Sequence, residues 1–198
     1  MKIFLTSSAA NVLDKIIPLL NKKPSELKVA FIPTAGYPYG DNRPWQIADH
    51  RKLIELGFSV KDFDLKDKME NDVRNTLSKV DVIFVAGGNC FYLLQKANES
   101  GLTSIIKELK GSDKIYIGSS AGSCVAGPDL EPIAPIDEPE KAKLDSTKAF
   151  GLVPLVVLPH HGNPKYDIVH EKVIEEFGDK YKIITLTDEQ FISVKAPK

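Results

Sequence analysis

Short apolar runs alternate with longer stretches whose apolar residues recur every three or four positions. The run "KIFLTS" predicts a strand, and "NVLDKIIPLLNK" a helix disturbed at Pro18. "LKVAFIPTA" predicts a strand that stops at Pro33, and "QIADHRKLIELG" a helix ended by Gly57. "FSVKDFDL" alternates as a strand does, and "ENDVRNTLSKV" is helical. "DVIFVAGG" is apolar without alternation, as a strand buried on both faces would be. "CFYLLQKANES" and "LTSIIKELK" read as helices, "KIYIGSS" as a strand, and "AGSCVAG" as the start of a short helix. "LVPLVVLPHH" reads as a strand, "PKYDIVHEKVIEEFG" as a helix, and "YKIITLTDEQFISV" as strand-like runs around a turn. Strands separated by helices imply parallel pairing through crossover helices, hence an α/β fold with a sheet covered on both faces. The long irregular stretch runs from Gly127 to Gly151. It is rich in proline and acids, and a loop of that length in a compact domain is usually functional or mobile.

Chemistry collects at the ends of three predicted strands. Gly118-Ser119-Ser120-Ala121-Gly122 fits G-x-S-x-G, with a strand before it and a helix after it. A serine on such a turn exposes its hydroxyl, and the amide of the next residue, Ala121, points at a developing oxyanion. A plain glycine- and serine-rich connection would read the same way. "FVAGGNCFYLL" brings Gly87, Gly88 and Asn89 to the end of a second strand. There the Gly88 amide could be a second oxyanion donor, or the glycines could simply pack a tight turn. It is no phosphate loop, because neither G-x-x-x-x-G-K-[ST] nor an early G-x-G-x-x-G is present. "VVLPHHGNP" delivers His160 and His161 to a third strand end, as a general base or as a loop feature. Between serine and histidine lie Asp129, Glu131, Asp137 and Glu138. That order matches the hydrolase sequence of nucleophile, acid and base, although each acid taken singly reads as a solvated loop carboxylate.

Composition narrows the partners. The 198 residues are 42% hydrophobic and 27% charged, with a net charge of -1. No basic stripe suggests nucleic acid and no polybasic cluster suggests a membrane surface. Cys90 and Cys124 have neither metal-ligand spacing nor the density of a disulfide scaffold. The opening apolar run is too short for a secretory signal, so a cytoplasmic, reducing location is the expectation.

Together "GSSAGS", "AGGNCFYLL" and "LPHHGN" resemble the dipeptidase E and cyanophycinase family of serine peptidases, and the resemblance spans nearly the whole chain. It implies a fold like the class I glutamine amidotransferases: a three-layer α/β/α sandwich with a mostly parallel sheet, formed by residues 1–198 as one domain. It further implies Ser120 as nucleophile, His160 as base, and the Gly88 and Ala121 amides as oxyanion donors. The stretch "IDEP" is similar to the acid-bearing segment of the family, which implies Asp137 as the triad acid, with Glu138 as the alternative. Asn89 and His161 are expected to touch substrate. No metal or organic cofactor is expected. The implied substrate is a small peptide, with the oligomeric state open between monomer and homodimer. Dipeptidase E relatives cleave after an N-terminal aspartate, which calls for a buried cation, and the arginines here (Arg43, Arg51 and Arg74) all precede the nucleophile. An esterase or amidase using the same triad, and a non-catalytic protein that retains the fold, are the alternatives.

Overall fold

In the computed structural model, which describes residues 1–195, six strands form one sheet in the order β3-β2-β4-β5-β1-β8. They are β1 (Lys2–Thr6), β2 (Lys28–Ile32), β3 (Ser59–Asp62), β4 (Val82–Val85), β5 (Ile115–Ser119) and β8 (Phe191–Lys195). The first five are parallel, and β8 returns antiparallel to β1. The connecting helices are α1 (Ala9–Ile16), α2 (Pro44–Glu55), α3 (Glu70–Ser78), α4 (Cys90–Glu99), α5 (Leu102–Glu108), the four-residue α6 (Ala121–Cys124) and α7 (Asp167–Phe177).

Successive side chains of a strand point to opposite faces, and both faces here are apolar. Phe4, Phe84 and Ile117 pack on one side with Val12, Leu13 and Ile16 of α1 and Leu53 of α2. Ile3, Leu5, Ile83 and Val85 pack on the other with Val73 and Leu77 of α3, Leu93 of α4 and Ile106 of α5. This two-sided cover explains why β4 and β5 show no polar alternation. The α/β class and the mostly parallel sheet agree with the sequence reading.

Two features differ from it. The late strands β6 (Val156–Leu158) and β7 (Ile183–Thr185) form a separate two-stranded parallel sheet. The Gly127–Gly151 stretch is packed in place. Leu130, Ile133 and Phe150 are buried, Asp129 pairs with Lys148 across a β-bridge, and the Tyr181 hydroxyl donates to Glu131 at 2.6 Å. Its lack of periodicity reflects isolated anchors under a long excursion. Proline shortens α1 as expected: the helix ends at Ile16, and Pro18 lies in a 3-10 turn, Ile17–Leu19.

One polar group lies near the Ser119–Ser120 turn, the elbow between β5 and α6. Asp49 of α2 is buried, accepts the Ala10 amide of α1 at 2.8 Å, and lies near the Ser119 hydroxyl. Burial raises its pKa from 3.8 to about 6, against the opposing hydrogen bonds. The folded state therefore holds this proton up to about pH 6, whereas the unfolded chain releases it near 3.8. Stability contributed by this group is present below the lower value and is lost as pH rises between the two. Asp49→Asn should remove that dependence. Urea unfolding is expected to show the variant gaining about 2–3 kcal/mol on the parent between pH 4 and pH 8. Parallel stability curves would show that Asp49 is not the group titrating there.

Candidate active site

The elbow is strained. Ser120 follows β5 and has φ 49° and ψ -107°, a conformation L residues avoid. Hydrogen bonds hold it on both sides: its N–H donates to the Thr6 carbonyl at 3.0 Å, and its carbonyl accepts from Ser123 and Cys124 at 2.8 and 3.0 Å. The small residues around it are required by space. A Cβ on Gly122 would lie 2.0 Å from the Val85 carbonyl oxygen. Gly88 has φ 145°, and a Cβ there would lie 2.2 Å from the Ala35 oxygen.

The three serines of the elbow do different things. Ser123 is buried; its hydroxyl accepts the Thr6 amide at 2.8 Å and lies 2.7 and 2.9 Å from the Thr6 and Gly118 carbonyl oxygens. Ser119 is buried and accepts the Ala9 amide at 3.2 Å. Ser120 alone faces an imidazole, with its Oγ 2.9 Å from His160 Nε2. On the far side of that ring, His160 Nδ1 lies 2.7 Å from Asp188 Oδ1. A carboxylate accepts, so Nδ1 carries the proton and Nε2 is left to accept from Ser120. The Gly88 and Ala121 amides donate to no protein acceptor among the hydrogen bonds of the described residues.

Strand register brings these groups together. In the small sheet Leu158 pairs with Thr185. The Leu186 amide bonds to the Leu158 carbonyl at 2.9 Å, and the His161 amide bonds to Leu186 at 2.9 Å. His160 and Asp188 thus leave neighbouring strand ends side by side. Ser7 closes the group from the end of β1, with its hydroxyl 2.5 Å from Asp188 Oδ1.

Asp137 and Glu138, expected to support the histidine, do not reach it. Asp137 Oδ2 accepts the Cys90 amide at 2.6 Å, and Oδ1 accepts from Asn89 Nδ2 and the Glu138 amide, both at 2.9 Å. The carboxylate is spent on the N-terminus of α4, where the helix dipole favours it. Glu138 pairs with Lys141 at 2.7 Å, which lowers its pKa. Asn89 also differs from expectation. It is fully buried and caps α4, accepting the Tyr92 amide at 2.8 Å, so its side chain serves the helix. His161 is exposed and stacks on buried His170 at 6.0 Å.

Trp45 of α2 lies beside the Gly87 turn next to Ser120. Its indole N–H donates to the Gly87 carbonyl at 3.2 Å. A Cβ on Gly87 would sit between Ser120 Cβ at 3.3 Å and Trp45 Cδ1 at 3.4 Å. Tyr39 packs edge-on against the indole at 5.9 Å. Cys90 is no rival nucleophile: the neighbouring Cys124 thiol and burial push its own thiol well above the ordinary range. A groove of about 890 Å³ lies at the opposite, N-terminal end of the strands, around Lys2, Asp81 and Lys114, away from these groups.

An α/β fold with a serine on a strained strand-to-helix turn and an imidazole against its hydroxyl is the arrangement of serine-type hydrolases. The chain belongs to peptidase family S51, whose family model it matches over residues 3–198. It is 31% identical over 198 residues to an uncharacterized peptidase of Listeria monocytogenes, covering 98% of this chain and 94% of that one. Peptidase E of Streptomyces coelicolor is 30% identical over 151 residues, covering 75% of this chain and 57% of that one. A Listeria monocytogenes crystal structure described as a candidate peptidase E superposes with a TM-score of 0.87 at 28% identity, covering 99% and 98% of the two chains. No helix among the described residues is long and apolar enough to cross a membrane.

Proposed function

We propose that this peptidase hydrolyses short peptides through an acyl-enzyme on Ser120, with His160 as base and Asp188 as the acid behind it. The observation that carries this reading is the unbroken run of hydrogen bonds from Ser120 Oγ through the imidazole to Asp188, at 2.9 and 2.7 Å. His160 Nε2 takes the serine proton as Oγ attacks the scissile carbonyl. Asp188 holds the ring in the correct tautomer and stabilises the imidazolium. The Gly88 and Ala121 amides receive the oxyanion. His160 then gives its proton to the leaving amine, and water, activated by the same ring, releases the acid.

Three observations bear on the choice of peptide. Arg74 is tied to Glu70 and Glu108, at 2.7 Å each. The Arg43 guanidinium lies over Tyr37, 5.0 Å from its centroid, and Arg51 lines a groove beside β3 with Asp62 and Glu55. The wall beside Ser120 is instead the indole of Trp45, 40% exposed. An uncharged side chain fits this wall better than an aspartyl side chain, which would need a cation. A dipeptide panel assayed by amine release is expected to show aromatic and aliphatic acyl residues turned over at least as fast as Asp-X. Exclusive turnover of Asp-X would overturn this substrate reading. Turnover of esters with no peptide cleaved would make the protein an esterase.

A further inference from the structure

We propose that Ser7 is a positioning residue of the peptidase reaction, locking the backbone of His160 and the carboxylate of Asp188 with one hydroxyl; the inference rests on the triad reading above. Ser7 is fully buried. Its Oγ accepts the His160 backbone N–H at 2.7 Å and donates to Asp188 Oδ1 at 2.5 Å, and it lies 3.2 Å from His160 Nδ1.

Topology puts it there. β1 lies between β5, which carries the elbow, and β8, which begins just after Asp188. Thr6 pairs with Ser119 on one side and with Phe191 on the other. The residue that follows β1, Ser7, therefore emerges between Ser120 and the turn holding Asp188. It meets two groups that need holding. His160 has φ 64°, a left-handed conformation that a non-glycine residue keeps only when its surroundings impose it. Asp188 sits on a turn with its side chain 43% exposed, so packing alone does not fix its rotamer. The Ser7 hydroxyl uses its lone pair on the first and its proton on the second. The geometry also assigns the protons: Oδ1 receives both Ser7 Oγ–H and His160 Nδ1–H, which leaves Nε2 free to accept from Ser120.

The test is Ser7→Ala, with Ser7→Thr as the variant that keeps the hydroxyl. For Ser7→Ala on a dipeptide substrate, kcat is expected to fall about 10- to 100-fold, the scale of losing one hydrogen bond to a charged group, with KM within about twofold. The acid limb of the kcat/KM profile should move to higher pH, because an Asp188 relieved of one donor holds the imidazolium more strongly. The other groups facing that ring are Tyr166, stacked at 5.5 Å, and His170 and His161 beyond it, with Lys165 over the Tyr166 ring; all are unchanged in the variant. The far-downfield proton signal of His160 Nδ1–H should shift in Ser7→Ala and return in Ser7→Thr. If Ser7→Ala melts below the assay temperature, Ser7→Cys, whose thiol is a weak donor, is read by the same three measures. A replacement that leaves kcat within twofold with an unmoved acid limb overturns the inference, as does a loss confined to KM. Parallel assays of Ser120→Ala and Asp188→Asn separate the two failures. If those variants stay active the triad reading fails; if they lose activity and the Ser7 variant does not, only the role of Ser7 fails.

Discussion

Ser120→Ala is expected to lower kcat for dipeptide hydrolysis by about 10⁴- to 10⁶-fold, while the melting temperature stays within a few degrees of the parent. The large loss follows from the geometry. Neither neighbouring serine can take over, because Ser119 is bonded beneath the elbow and Ser123 bridges β1 to β5. Cys90 and Cys124 are both buried, so a thiol does not substitute either. The residual rate should be the part contributed by the Gly88 and Ala121 amides and by substrate binding. The fold should tolerate the change, since the bonds holding the elbow run through the Ser120 backbone. Alanine keeps a Cβ at the strained φ and adds no new clash. A variant retaining a tenth or more of the parental kcat would show that Ser120 is not the nucleophile.

Asp188→Asn is expected to cost about 10³- to 10⁴-fold in kcat, with little change in KM. An amide at this position can donate to His160 Nδ1 and stabilise the tautomer whose proton is on Nε2, which cannot accept from Ser120. Asp137→Asn gives the contrast. It weakens a carboxylate that accepts the Cys90 amide at 2.6 Å, so its main effect is expected to be about 1 kcal/mol of stability at the α4 N-terminus. Any loss of rate should come through movement of the neighbouring Gly88. Steady-state kinetics and urea unfolding on both variants separate the two carboxylates. A larger kcat loss in Asp137→Asn than in Asp188→Asn would reverse the assignment.

Those two carboxylates also show what could be read from the chain alone. The elbow was legible because its constraint is local: small residues are forced by close approaches such as Gly122 against the Val85 carbonyl, and they recur at fixed spacing after an apolar strand. His160 was legible as a histidine at a strand end. The carboxylate that meets the imidazole was not, because the expected order set it between serine and histidine, whereas Asp188 follows the histidine. "LTDEQ" reads as a polar turn between two strand-like runs. Only the pairing of β6 with β7, a contact between distant segments, turns that aspartate toward the imidazole. A signal was available: both residues lie two or three positions beyond short apolar runs, as site residues of parallel strands do. Asn89 was misread for a related reason. An asparagine after paired glycines suits substrate contact and helix capping equally, and its burial decides for capping. Ser7 carried no signal, since a serine after a strand is ordinary until its neighbours on both sides are known.

Intact-protein mass spectrometry after treatment with a fluorophosphonate, followed by peptide mapping, reads the nucleophile itself. A single adduct on Ser120 is expected in the parent protein, with no adduct in Ser120→Ala and slow labelling in Asp188→Asn. A parent protein that cleaves peptides yet takes up no label at Ser120, or takes it up at Ser119 or Ser123 instead, would contradict the Ser120 assignment.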